Sequence, residues 1–143
     1  MGSKTVLPSE AFVKIDFRLA FDQKPEELFE KLKVHLQEQG FKDIEVVQLG
    51  RLEPSKTPVK APIVRVVREA GERVYGKKPI IYPSSSGSGP DYVFTKHLGL
   101  DSVWTGCSPP FSNIHSPNEF ITIHDIILGV KYAATCLIQG QTL

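Results

Sequence analysis

The chain has 143 residues and a mass of 15.9 kDa, enough for one domain of ordinary size or two small pieces. Seventeen Lys and Arg against sixteen Asp and Glu leave a net charge of +1, which argues against general nucleic-acid coating, and an apolar share of 41% argues against disorder. Two cysteines, Cys107 and Cys136, exclude a disulfide framework and a four-cysteine zinc site, and fit a reducing cytoplasm or at most one bridge.

From Ala11 to Leu19 the residues alternate: Val13, Ile15, Phe17 and Leu19 on one side, Lys14, Asp16 and Arg18 on the other. Period two with one apolar face predicts a half-buried strand with Arg18 on its solvated face. Pro25-Glu26-Glu27 then predicts a helix start, because proline suits the first turn and acids favour the positive end of the dipole. Leu28, Phe29, Leu32 and Leu36 recur at helical spacing, and Gly40 is placed to stop the helix. Ile44 to Leu49 reads as a second strand. Arg51 to Pro62 holds Pro54, Pro58 and Pro62 and reads as a crossing between domains, with the boundary near Thr57. This divides the chain into residues 8–57 and 58–143.

Ile63, Val66, Val67, Ala70 and Val74 form the stripe of an amphipathic helix that stops at Gly76. Ile80-Ile81-Tyr82 is a short strand, Pro83 to Pro90 a glycine- and serine-rich loop, and Tyr92 to His97 a short helix ending near Gly99. Ser102 to Gly106 reads as another strand, and Cys107 to Asn118 as an irregular loop with Pro109, Pro110 and Pro117. Ile123 to Ile138 predicts a well-buried helix capped by Thr122. Such alternation means α/β layering, but two short strands are too few for a self-sufficient sheet. No run reaches the roughly 18–20 apolar residues of a membrane span. Met1-Gly2-Ser3-Lys4 starts no secretory leader, so a soluble cytoplasmic protein is expected.

Three groups of residues can carry chemistry. His115 lies in a loop between a strand and a helix, where α/β folds place their sites. A neutral imidazole is a common metal ligand whose other nitrogen needs an orienting partner, and Asn118 and Glu119 are near. By composition alone, a lone loop histidine is a surface residue, far short of a zinc ligand set. Gly87, Ser88 and Gly89 offer backbone N–H groups and a hydroxyl to a ligand. From the residues alone they read first as a flexible surface turn, and they fit neither a nucleophile elbow nor a Walker loop. Arg18 has the fork that binds carboxylates, or it is a solvated sheet residue paired with Asp16. Cys107 with His115 has no supporting spacing. Cys136 reads as core, His35 as exposed, and His97 sits in a last helical turn.

The order of these motifs is informative. Lys14-Ile15-Asp16-Phe17-Arg18-Leu19 is followed by a helix and Asp43-Ile44-Glu45-Val46, then Ala61-Pro62, Val74-Tyr75-Gly76, Gly87-Ser88-Gly89-Pro90 and His115-Ser116-Pro117-Asn118-Glu119. This order resembles the carboxyl-terminal part of the M20 metallopeptidase family, which includes acetylornithine deacetylase, succinyl-diaminopimelate desuccinylase and the carnosinases. The resemblance runs from about Pro8 to Ile138 and is greatest to the carnosinase-like and archaeal carboxypeptidase branch.

The resemblance implies hydrolysis of amide bonds in small peptides or N-acyl amino acids by metal-activated water at a two-zinc centre. It implies half of a ferredoxin-like lid, strand–helix–strand, followed by the end of an α/β catalytic domain. His115 falls on the family's final histidine metal ligand, and Arg18 on the lid arginine that grips the substrate carboxylate. Gly87, Ser88 and Gly89 fall on a substrate-contacting loop, and Glu119, with Asn118, beside the ligand. The family's other metal ligands and its general base match nothing in this sequence. Bare strand edges must pair with something, so a homo-oligomer, in the first instance a dimer, is expected. The alternative reading is a non-catalytic oligomerising fragment.

Overall fold

A computed structural model describes residues 5–85 and 87–141. Met1–Lys4, on which the expectation about a leader rests, lie outside the described residues, as does Ser86 of the glycine-serine loop. Among the described residues three α-helices form: α1 (Pro25–Glu38), α2 (Pro62–Tyr75) and α3 (Ile123–Gly140). A single π-helical turn spans Val93–His97.

Local chemistry accounts for the helix ends. Both α1 and α2 begin on proline, whose missing N–H and fixed φ suit the first turn. Gly40, just past α1, has φ +88°, and Gly76 closes α2 with φ +66°. At Gly76 the backbone N–H returns to the Glu72 carbonyl. Thr122 caps α3 by accepting from the Asp125 N–H at 3.1 Å.

The core lies where α2 meets α3. Val66 and Ala70 of α2 are buried, as is Tyr132 of α3, whose ring lies beside Gly71 of α2. The Tyr132 hydroxyl donates to the Val67 carbonyl at 3.0 Å and accepts from Thr105 at 3.3 Å. Its ring meets Tyr75 edge-on at 5.4 Å. Burial pushes both phenols above their ordinary pKa range and raises the Cys136 thiol as well. Cys107 and Cys136 are both free.

Gly71 sits inside α2, where alanine would normally be better. A Cβ there would come within 2.8 Å of the Pro79 ring and 3.6 Å of Tyr132. Propensity alone favours alanine by about 0.8–1.0 kcal/mol. Overpacking against a stiff ring costs about 1–3 kcal/mol and decides the sign. Gly71→Ala is therefore expected to lower the urea midpoint; a raised midpoint would show that Pro79 yields.

Two expectations require correction. Ala11–Leu19, Ile44–Leu49, Ile80–Tyr82 and Ser102–Gly106 were expected as strands, yet among the described residues there is no strand. Alternation records which side of a chain is apolar, whereas a strand also needs a neighbour about 4.7–4.9 Å away to accept its ladder. Among the described residues, no backbone hydrogen bond joins Ala11–Leu19 to Ile44–Leu49. The predicted half-lid is thus a helix flanked by unpaired segments, not a sheet.

Nor is α3 well buried. Of its residues only Tyr132 is buried, although α2 packs on it and Cys107 lies against Gly129; Ile123 is 78% exposed and Leu137 74%. The total accessible surface is 12223 Å². A compact monomer of this mass exposes about 7,400 Å². The excess is apolar in large part, with Val13, Ile15, Val47 and Leu49 all more than 60% exposed. Among the described residues, no helix is long and apolar enough to cross a membrane.

Candidate functional site

Residues far apart in sequence converge on one cleft of about 1460 Å³. The 13–21 and 44–57 segments line it, along with residues 79–85 and 87–89, Asp91, Ser102–Thr105 and the half-buried side of α1. Arg18 reaches across it: one guanidinium nitrogen, Nη1, donates to Ser88 Oγ. The other, Nη2, pairs with Asp16 Oδ2 at 2.8 Å. Alternation accounts for that pair, since residues i and i+2 of an alternating segment share a face. The guanidinium remains half exposed, so its donors are accessible to a ligand.

The glycines of the Ser88 loop have a steric reason. The Trp104 indole lies directly on the loop backbone, and a Cβ at Gly89 would overlap its ring. At Gly87 a Cβ would sit 3.7 Å from the same ring and 3.3 Å from Ser85 Oγ, which accepts the Gly87 N–H at 3.1 Å. Glycine here permits close approach of indole and backbone.

The crossing segment is fastened to the region after this loop. Ser55 and Thr95 share a hydroxyl hydrogen bond at 2.8 Å, and Thr57 accepts the Ser102 N–H at 2.9 Å. Lys96 pairs with Glu53 at 2.6 Å, and its ammonium holds the Glu53 carboxyl below its ordinary range. Asp91 accepts from Ser102 Oγ at 3.0 Å. Arg51 reaches back to Glu26 of α1 at 2.6 Å. Together these bonds tie the 51–57 segment to α1 and to the region from Thr95 to Ser102.

His115 lies elsewhere. It is exposed and does not line the cleft. Its loop is shaped by backbone: Phe120 N–H donates to Ser112 O at 3.0 Å and Ser116 N–H to Asn113 O at 2.9 Å. Ser112 beneath it is buried. Asn113, His115 and Asn118 all have positive φ, at +57°, +63° and +61°. Three left-handed non-glycine residues among six is a concentration of backbone strain, and such strain gathers at functional sites. The Asn118 and Glu119 side chains are exposed near this loop. Among the described residues, no group of three or more His, Cys, Asp and Glu stands where it could hold a metal ion. One imidazole falls short of the ligand set for zinc, so these residues do not by themselves fit a complete metal centre.

The structure thus brings together Arg18, Gly87, Ser88 and Gly89, and leaves His115, Asn118 and Glu119 apart from them. Two features were missed in the sequence. One is Trp104 under the glycine loop; the only signal was a tryptophan in a segment otherwise read as a plain short strand. The other is the left-handed backbone around His115, which the two asparagines at 113 and 118 foreshadow, since asparagine tolerates that conformation.

Comparison with known proteins places the chain in a family. The model for peptidase family M20/M25/M40 matches residues 1–139. A solved structure, the M20 family metallo-carboxypeptidase Sso-CP2 from Sulfolobus solfataricus, is 34% identical with a TM-score of 0.78, over 85% of this chain. The chain spans only 28% of that protein's length. No curated protein matches the sequence. With the family model covering residues 1–139, the chain belongs to the M20/M25/M40 peptidase family.

Proposed function

We propose that this chain is the carboxyl-terminal portion of a cytoplasmic zinc-dependent M20-type hydrolase acting on amide bonds of small peptides or N-acyl amino acids. The observation that carries the reading is the meeting of Arg18 with Ser88 across 70 residues, in a cleft also lined by Gly87 and Gly89. Arg18 binds the substrate carboxylate through the donors that now hold Ser88 and Asp16. Ser88 and the N–H groups beside it then steady the substrate backbone. His115 serves as a ligand to one of two zinc ions, with Asn118 and Glu119 supporting its loop. Zinc, when bound, supplies Lewis-acid activation of water. The remaining ligands and the base belong to sequence outside this chain, a reading supported by its 28% coverage of the Sulfolobus carboxypeptidase.

A second reading, a non-catalytic oligomerising piece, is favoured by the exposed apolar surface and unpaired segments. It keeps the family membership and drops the activity. Dipeptide hydrolysis with added zinc, alone and with an amino-terminal fragment of an M20 relative, separates the two. The chain alone is expected to be inert, with activity appearing on complementation and vanishing in His115→Ala. Restored turnover that survives His115→Ala would remove the ligand assignment. No restoration, with a stable dimer by sedimentation, would favour the second reading.

A further inference from the structure

The cleft holds more than an anchor for a carboxylate. Trp104 is 56% exposed, although it is the largest apolar side chain in the protein and its only tryptophan. One side of the indole is seated on Gly89 and Gly87, and it lines the same cleft as Arg18 and Ser88. Ile81 and Tyr82, which also line this cleft, are exposed too, Tyr82 at 76%. An exposed aromatic surface seated on the loop that holds the arginine's partner is arranged to receive a group carried close to that carboxylate.

We infer that Trp104 is a specificity-determining residue of this site: its indole receives an apolar or aromatic side chain on the residue whose carboxylate Arg18 binds. The inference rests on the reading of Arg18 given above. The chemistry of the ring decides the class. An indole face attracts apolar and aromatic groups by area and by ring stacking. It also attracts cations, but a cationic side chain would then lie near the Arg18 guanidinium, and like charges repel. An anionic side chain gains nothing from the electron-rich face. The substrates favoured are therefore acyl or peptidyl derivatives of apolar and aromatic amino acids with a free carboxylate.

Calorimetric titration of the chain tests this with three probes: N-acetylphenylalanine, N-acetylglycine and N-acetylphenylalaninamide. The aromatic acid is expected to bind at least about tenfold more tightly than the glycine acid, the scale of discrimination an apolar contact supplies. It should also change the emission of Trp104. Trp104→Ala should reduce that preference to under about twofold, the range of a neutral change, while acid is still preferred over amide. Trp104→Leu keeps the loop supported and should retain an intermediate preference. If both acids bind alike and the amide does not, the inference falls and the reading of Arg18 stands. If acid and amide bind alike, the reading of Arg18 falls. Failure of both acids to bind overturns both.

Discussion

Tyr132→Ala is expected to destabilise the α2–α3 unit by about 3–5 kcal/mol, the range for deleting a buried aromatic ring. Tyr132 is 7% exposed, stacks edge-on against Tyr75 and fills the space beside Gly71. Its loss leaves a cavity lined by α2 and frees the Val67 carbonyl from its hydroxyl partner. Tyr132→Phe isolates the hydroxyl and should cost less, about 0.5–1.5 kcal/mol for one hydrogen bond to a carbonyl that keeps its place in the α2 ladder. Urea unfolding followed by helical circular dichroism measures both. Equal losses would mean that the hydroxyl, not the ring, carries the contact; no loss would mean that α2 and α3 are not the core.

The second large effect concerns Arg18. Arg18→Ala is expected to weaken binding of an N-acyl amino acid carboxylate about tenfold or more, the scale of losing a hydrogen bond to a charged group at a half-exposed site. Arg18→Lys keeps the charge but loses the planar fork that spans Asp16 and Ser88, and should fall between the two. Ligand titration with the matched amide as control checks this. If Arg18→Ala lowers acid and amide binding equally, Arg18 shapes the cleft without reading the carboxylate. If neither changes, it is a solvated pair with Asp16, as alternation alone allows.

Much of the local structure was legible in the sequence. The α2 stripe, with its proline start and Gly76 stop, needed only helical periodicity and the left-handed tolerance of glycine. The Thr122 cap and the Pro25 start are equally local. The order of Arg18, the glycine-serine loop and His115 was sufficient to mark the family. The strands were not legible in this sense. Val13, Ile15 and Phe17 alternate correctly and remain exposed, because a ladder is a property of two segments and only one is written at any position. The burial of α3 failed for the same reason: an apolar helix states a demand for cover, not what supplies it.

The sequence by itself determined the three α-helices of the described residues, the proline starts of α1 and α2, the Gly76 stop, the Thr122 cap, the apolar faces, and the ancestry, since each depends on residues within a turn or two or on motif order. Only the tertiary structure decided that Arg18 meets Ser88, that Trp104 lies under Gly89, and that His115 stands apart in a left-handed loop. Those facts depend on where distant segments come to rest. They are contacts across long stretches of chain, like the packing of Tyr132 on α2 and the bonds of the crossing segment, and no local pattern encodes them.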